Sequence, residues 1–137
     1  METIFTRIDA VSISSNLESM PIVEALIDKV CNSVGVHEDV YGNVLIAVTE
    51  AVNNAIIHGN KLVASALVDV EAFDQSNSFW FTVSDSGLGF DHLHLPDPTA
   101  PENLENENGR GVFLMRNLAD EVVYNVSGNS VSVYFQK

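Results

Sequence analysis

The chain has 137 residues and a formal net charge of −13, with 6 Lys and Arg against 19 Asp and Glu, and 46% of its residues are hydrophobic. This length predicts one domain with its own core. The acidity disfavours binding to nucleic acid or to an anionic membrane surface, because both depend on clustered Lys and Arg. A lone cysteine, no leader-like N-terminus and no long apolar run predict a cytoplasmic protein without a membrane span.

The first part of the chain predicts one strand and two helices. Alternation of apolar and polar residues over 3–8 is typical of a strand. Apolar residues spaced by three and four over 23–34 predict a helix, with Pro21 in its first turn and Gly35 at its end. A second helix is predicted over 38–57, with an apolar stripe that faces the core.

The rest of the chain predicts four more strands and a third, short helix. The strands are expected over 63–73, 78–84, 122–126 and 131–135, and the short helix over 112–118. Residues 91–108 lack a hydrophobic period, and a loop of this length inside a compact domain is usually functional or disordered. This order predicts an α+β fold, a two-layer α/β sandwich in which helices cover a mixed, mainly antiparallel sheet.

A row of polar residues lies on the second predicted helix. Glu50, Asn54 and His58 are spaced by four and four, so they share one face, and Asn53 lies beside them. A solvated face is the ordinary interpretation, but the flanking residues are apolar nearly all round and Asn is unfavourable inside a helix. An Asn oxygen suits Mg²⁺ and a Glu one turn earlier could activate a hydroxyl. The row therefore predicts a site.

Two glycine-rich segments add weaker signals. Asp85 ends a predicted strand and is followed by Gly87 and Gly89, a pattern that is more often an ordinary turn. Residues 109–111 place glycines before a predicted helix, where free N–H groups and the helix dipole bind phosphate, although such glycines often only cap the helix. The chain has no P-loop or Rossmann fingerprint, no zinc-ligand spacing and no nucleophile elbow.

Taken in order, three segments carry a family resemblance. EAVNNAIIHGNK (Glu50–Lys61), DSGLGF (Asp85–Phe90) and GRGVFLMRNLADEV (Gly109–Val122) resemble the N box and two glycine boxes of the GHKL, or Bergerat-fold, ATP-binding superfamily. Within it they are most similar to the anti-sigma-factor serine/threonine kinases. The similarity runs from the first predicted strand to the last hairpin, which implies a single histidine-kinase-like ATPase domain over residues 1–137. Histidine kinases, gyrase and Hsp90 need further domains that we do not expect here.

The resemblance implies a role for each matching residue. Glu50 is implied as the general base for a substrate serine, Asn54 as a ligand of the Mg²⁺ that bridges the ATP phosphates, and Asp85 as the acceptor of the adenine amino group. Residues 91–108 resemble the lid that closes over the nucleotide. The other implied nucleotide-binding residues are Asn53, His58, Lys61, Gly87, Gly89, Gly109, Arg110, Gly111 and Val112.

The resemblance also implies an activity and partners. We expect Mg²⁺-dependent transfer of the ATP γ-phosphate to a serine of an anti-anti-sigma (STAS-like) protein, with a sigma factor as a second partner that the chain sequesters. Alternating apolar strand positions permit a homodimer without indicating one. Two other hypotheses stay open: a module of the same fold that binds ATP and a protein without transferring phosphate, and an acidic scaffold without a ligand. Retention of Glu50 argues mildly against the first, and three motifs in order argue against the second.

Overall fold

The computed structural model describes residues 4–87 and 114–137. The helices and turns are a short 3-10 helix Leu17–Ser19, α1 Met20–Val34, α2 Glu38–Asn54, a π-helical turn Ala55–Gly59 and a helical segment at 114–118. The strands are β1 Thr6–Ser14, β2 Leu67–Asp74, β3 Ser78–Ser84, β4 Glu121–Tyr124 and β5 Ser130–Gln136. The predictions for the lid at 91–108 and for Gly89, Gly109, Arg110, Gly111 and Val112 lie outside the described residues.

The five described strands form one sheet in the order β1-β2-β3-β5-β4. Every described pairing is antiparallel, and β1 carries an irregularity between Arg7 and Asp9. The helices lie on one face of this sheet, so the α+β prediction of a two-layer sandwich with a mainly antiparallel sheet is confirmed. Strand order follows chain order except at the edge, where β5 inserts between β3 and β4.

The core lies between α1, α2 and the inner face of the sheet. Alternate residues of β3 and β5, such as Phe79, Phe81 and Phe135, are almost fully buried, as the two-residue period of a strand requires. The predicted stripes of both helices are confirmed, because their apolar residues are the buried ones. On α1 and α2 these are Val23, Leu26, Ile27, Val30, Cys31, Val44, Ala47, Val48, Ala51 and Val52.

The ends of α1 match the prediction. Pro21 lies in the first turn, where its missing N–H removes no helical hydrogen bond. Gly35 follows the last turn with φ 81°, in the left-handed region, and its N–H donates to the Cys31 carbonyl. Glycine adopts that conformation without a Cβ penalty, so this residue ends the helix where the sequence predicts.

Two strands begin later than predicted. β1 begins at Thr6 and continues to Ser14, because its pairing with β2 extends to the Ser14–Leu67 pair. β2 begins at Leu67 instead of residue 63, because residues 63–66 form a turn in which the Ala66 N–H donates to the Val63 carbonyl at 2.9 Å. Lys61 and Leu62 directly before this turn have φ of 53° and 62°, in the left-handed region, so the chain changes direction before it enters the sheet.

One described helix, Glu38–Gly59, is long and apolar enough to cross a membrane by length and composition alone, with a mean hydropathy of 1.3. This is weak evidence for a span, since the core helix of a soluble protein passes the same test. In this fold the helix packs against β3 and β5, with Val44 and Val48 completely buried. Its apolar character is therefore accounted for by the core.

Candidate functional site

A cavity of about 180 Å³ lies where the C-terminal end of α2 meets the sheet. The α2 end, the π-helical turn, the end of β3, the helical segment at 114–118 and the β4–β5 hairpin all contribute to it. Its apolar wall includes Ala51, Val83, Met115 and Val131, and its polar groups include Asn54, His58, Asp85, Asn129 and Ser130. A partly apolar cavity with a few polar groups is typical of a small-molecule site.

The π-helical turn at the end of α2 brings the chain to this cavity. The Asn60 N–H donates to the Ala55 carbonyl, 2.8 Å away, and the Leu62 N–H donates to the Ile56 carbonyl at 2.8 Å. These spacings of five and six residues widen the helix before Lys61 and Leu62 reverse the chain in the left-handed region. Wide turns of this kind are frequent at functional sites, and two non-glycine residues at positive φ carry strain that the surrounding structure must hold.

Two glycines form a cradle around the Asp85 carboxylate. A Cβ on Gly59 would overlap Oδ2 and Cγ of Asp85 and would lie 2.7 Å from Oδ1. A Cβ on Gly87 would overlap the Gly59 carbonyl oxygen and would lie 2.9 Å from the same Oδ1. Neither glycine is in the left-handed region. Both are needed because two backbone segments, the π-helical turn and the turn that follows β3, meet with no room for a side chain.

The surroundings of Asp85 make it a selective acceptor. Its Oδ1 accepts the Gly87 N–H at 2.8 Å, while no described residue donates to Oδ2. Burial raises the pKa of Asp85, and the Gly87 N–H partly opposes this because it stabilises the charged form. A desolvated carboxylate with a free oxygen on a cavity is stabilised by a ligand that brings an N–H donor.

Tyr124 contributes a neutral phenol to the same cavity. Burial raises the pKa of Tyr124 to about 12, an effect that the nearby Arg116 opposes. The side chain therefore stays protonated at physiological pH. It lies across the cavity from the α2 end, in β4, where its ring forms part of the wall.

The cavity unites three of the predicted site residues. Asn54, His58 and Asp85 line it. Gly87 lies beside it, where it bonds to Asp85. Glu50 and Asn53 are half-buried on α2 outside the lining, and Lys61 is exposed in the strained turn. The structure gives the positions of these residues, and their roles in binding and catalysis remain predictions.

Several site residues carry no clear signal in the sequence. Apart from their place in the segment Glu50–Lys61 that carries the family resemblance, Gly59 and Asn60 indicate only the end of a helix, and Asn129 indicates only part of a hairpin turn. In the structure Asn60 is 6% exposed and bonds to the Ser86 N–H, and Asn129 bonds to Gly87. Its place in the segment Glu50–Lys61 is the one sequence signal that points to Asn60, and only the structure shows that its amide is buried and needs partners.

Within the described part of the chain, no three His, Cys, Asp or Glu side chains are placed to hold a metal ion. The Asn54 amide instead fits an ion site in which the protein supplies a single ligand. The half-buried Asn54 amide makes no hydrogen bond to another described residue, so its oxygen can serve as one ligand. Mg²⁺ usually takes one or two protein ligands together with substrate phosphates and water, and therefore needs no cage of protein side chains.

The layered fold and its cavity define a nucleotide-binding type of domain, and the comparisons with known proteins assign it. The chain belongs to the family described as the histidine kinase-like ATPase domain, whose model matches residues 13–135. The resemblance to the GHKL superfamily and its anti-sigma-factor kinases is thereby confirmed.

Curated relatives match over most of their length. The chain is 31% identical over 129 residues to "Serine-protein kinase RsbW" of Staphylococcus epidermidis, covering 87% of this chain and 80% of that protein. It is 34% identical over 95 residues to "Anti-sigma F factor" of Clostridium perfringens strain SM101, covering 66% of this chain and 67% of that protein.

A solved structure shares the fold. The crystal structure of the RsbU and RsbW domains of Rv1364c from Mycobacterium tuberculosis matches 93% of this chain with a TM-score of 0.53 and 12% identity. The chain spans 32% of that longer solved chain. At this identity the match supports the architecture described above and nothing finer.

Proposed function

We propose that the chain is an ATP-binding serine/threonine protein kinase of the anti-sigma-factor type. In this proposal it transfers the γ-phosphate of ATP to a serine of an anti-anti-sigma (STAS-like) protein and also sequesters a sigma factor. The observation that carries the proposal is the Asp85 carboxylate, held between Gly59 and Gly87 on an apolar cavity in a chain of this family. The names of the two curated relatives support the kinase and anti-sigma parts.

The cavity suits the base of the nucleotide. Its volume of about 180 Å³ is below the roughly 300–1,000 Å³ of a pocket that encloses a whole drug-sized ligand, so it fits a ring system and leaves the rest outside. In the proposal the adenine amino group donates to the free oxygen of Asp85. Ala55, Val83 and Met115 then cover the ring faces with apolar surface.

The phosphate end of ATP lies toward Asn54 and His58 in this arrangement. Asn54 would hold Mg²⁺ through its side-chain oxygen, and the ion would neutralise phosphate charge. His58 is exposed at the end of the same helix face and can donate a hydrogen bond from its ring N–H. Gly109, Arg110, Gly111 and Val112 remain proposed phosphate contacts on the sequence resemblance, as do Asn53, Lys61 and Gly89 as neighbours.

Glu50 supplies the proposed base. Its carboxylate is half-buried one helical turn before Asn54 and has no ion pair or hydrogen bond within the described residues. A carboxylate without a partner, placed beside the phosphate end, can accept the hydroxyl proton of a substrate serine. The serine oxygen then attacks the γ-phosphorus, and ADP leaves. A correctly placed base of this kind contributes about 10²–10⁴-fold to the rate.

The proposed setting of the reaction is the cytoplasm of a bacterium, as an expectation from the soluble regulators that the chain resembles. A homodimer is part of the proposal only as an arrangement that the strands permit. The net charge of −13 adds an expectation about partners, because it favours proteins that present a basic surface.

Phosphate transfer tests the proposal directly. Purified chain is incubated with Mg²⁺ and γ-labelled ATP together with each anti-anti-sigma protein encoded in the same genome, and labelled serine is mapped. We expect Glu50→Gln to lower transfer at least 100-fold while ATP affinity stays within about twofold. Glu24→Gln, the same change on an exposed face of α1, is the matched control and should keep full activity.

The same experiment separates the proposal from its alternative. ATP binding without transfer to any partner, unaffected by Glu50→Gln, would favour a module that binds ATP and a protein without phosphorylating it. Absence of ATP binding by the wild-type chain would refute both.

A further inference from the structure

We propose that Asn60 is a positioning residue for the nucleotide, which fixes the turn formed by residues 85–87 and so aims the Asp85 carboxylate. This role deepens the proposed function and rests on it. Asn60 is 6% exposed, so its side chain lies beneath the turn and cannot be a ligand of ATP itself. Its effect on the nucleotide must pass through the residues that it holds.

The Asn60 amide uses all of its hydrogen-bonding groups on three separate segments. Its Nδ2 donates to the Ser15 Oγ at 2.8 Å and to the Leu67 carbonyl at 3.0 Å. Its Oδ1 accepts the Ser86 N–H at 2.8 Å. The two donors anchor the side chain to the ends of β1 and β2, and the acceptor reaches the turn that follows β3.

The anchored side is rigid. Ser15 is 1% exposed, and its Oγ donates to the Ala66 carbonyl at 2.6 Å. A hydroxyl that both donates and accepts in this way leaves the Asn60 amide one orientation. The amide oxygen is therefore held toward Ser86, because exchanging the oxygen and nitrogen would place two acceptors against each other at the Leu67 carbonyl.

The opposite side of the turn is held by Asn129. The Asp85 N–H donates to the Asn129 carbonyl at 2.9 Å, and the Asn129 Nδ2 donates to the Gly87 carbonyl at 3.3 Å. With the Gly87 N–H on Asp85 Oδ1, all three N–H groups of the turn are bonded. Of the three, only the Ser86 N–H is held by a side chain from outside the turn.

This arrangement has a consequence for binding. A carboxylate that must meet one donor on a ligand loses affinity if its backbone samples several orientations, because binding then has to order it. Side chains that lock the backbone next to a binding group reduce that cost. Asn60 fixes the turn through its bond to the Ser86 N–H, and the close approach of Gly59 and Gly87 leaves the turn little room to move.

The test compares two deletions in one network. Asn60→Ala removes the bond to Ser86, whereas Ser15→Ala removes buried hydrogen bonds of the anchor and leaves Ser86 and the Asn60–Leu67 bond in place. Both should lower the melting temperature. We expect Asn60→Ala to raise the Kd for Mg-ATP about 3- to 20-fold and Ser15→Ala to change it less than twofold. The rate of phosphate transfer at saturating ATP should be unchanged in both.

A double-mutant cycle shows whether Asn60 acts through Asp85. In the Asp85→Asn background, Asn60→Ala should raise the Kd less than twofold, because the group that it positions has already been altered. Amide hydrogen exchange without nucleotide should speed up at Ser86 in the Asn60→Ala variant and stay unchanged there in Ser15→Ala. If Asn60→Ala does not fold at 25 °C, Asn60→Ser replaces it in the same comparisons.

The outcomes distinguish this role from the proposed function. A wild-type chain that binds no ATP refutes the proposed function and this role with it. Normal binding that is weakened by Asp85→Asn, together with a wild-type Kd in the Asn60 variant, refutes only the positioning role. Equal losses of affinity in the Asn60 and Ser15 variants also refute it, since they would show a general effect of stability.

Discussion

Gly59→Ala adds one methyl group at the point where the Asp85 carboxylate rests on the helix end. That methyl would overlap Oδ2 and Cγ of Asp85 and would lie 2.7 Å from Oδ1, with no freedom to rotate away. Non-bonded carbons prefer about 3.5–4.0 Å and carbon–oxygen contacts are only slightly shorter, so the carboxylate has to move by about 1 Å. It can move only by leaving the Gly87 N–H or by entering the cavity.

The expected cost combines two opposing effects. Overpacking costs about 1–3 kcal/mol, whereas alanine in place of glycine inside a helix gains about 0.5–1 kcal/mol. We therefore expect Gly59→Ala to lower the free energy of unfolding by ~1–2 kcal/mol. A hydrogen bond to a charged acceptor contributes ~1.5–3 kcal/mol, so its loss should weaken ATP binding about 10- to 150-fold.

Gly42→Ala is the matched control, because it makes the same change on α2 where a Cβ would meet nothing within 4 Å. It should raise the free energy of unfolding by ~0.5–1 kcal/mol and leave the Kd for ATP unchanged. Urea unfolding and titration calorimetry measure the two quantities. A second control, Gly59→Ala combined with Asp85→Ala, should recover stability without recovering affinity. If Gly59→Ala behaves like Gly42→Ala in both assays, the cradle has no role in placing the carboxylate.

Asp85→Asn keeps the shape of the side chain and removes its charge. ATP affinity should fall about 10- to 150-fold, as for a lost charged acceptor, while stability at pH 7 stays equal or rises. Burial raises the folded-state pKa of Asp85, so ionisation costs stability above that pKa. The wild-type chain should therefore gain stability relative to the variant as pH falls toward the usual value of 3.8, and a constant difference in urea unfolding would contradict this. Asn54→Ala should abolish most of the Mg²⁺ dependence of the ATP Kd, and an unchanged dependence in calorimetry would exclude Asn54 as the ligand. Burial raises the pKa of Tyr124 to about 12, so stability should fall between pH 10 and 12, and Tyr124→Phe should make that fall smaller in thermal melts.

The regular spacing of apolar residues predicted most of the helices and strands. The α1 boundaries followed from Pro21, Gly35 and a stripe of apolar residues, because each of these acts within a few neighbouring residues. The strand patterns were equally local, so the five strands occur along the chain in the predicted succession, whereas the insertion of β5 between β3 and β4 in the sheet was not predicted. Where a boundary moved, as at the start of β2, the cause was a turn over residues 63–66, in which the Ala66 N–H donates to the Val63 carbonyl. It follows two residues in the left-handed region, Lys61 and Leu62, which no propensity indicates.

The site was predictable only in part, because its decisive contacts join distant positions. Asn54 and His58 shared a helix face by spacing alone, and they do line the cavity. The contact of Gly59 with Asp85 and the bond from Ser86 to Asn60 each span 26 residues. Periodicity cannot show such pairs, since they join the π-helical turn and its C-cap at the end of α2 to the turn that follows β3.

An acidic chain can bind an anionic ligand such as ATP if the base and the phosphates contact different kinds of side chain, as they do in the proposed arrangement. Among the described residues that line the cavity, Asp85 is the only carboxylate, and it lies where a base would bring a donor. In the proposed arrangement the phosphate end lies instead beside the neutral amide of Asn54, which can hold a cation without adding negative charge. With 6 Lys and Arg against 19 Asp and Glu, the chain has few basic side chains, so in the proposal a bound ion neutralises phosphate charge together with residues such as Lys61 and Arg110. We therefore expect the proposed reaction to depend on Mg²⁺, because the ion would neutralise phosphate charge that few basic side chains are available to neutralise.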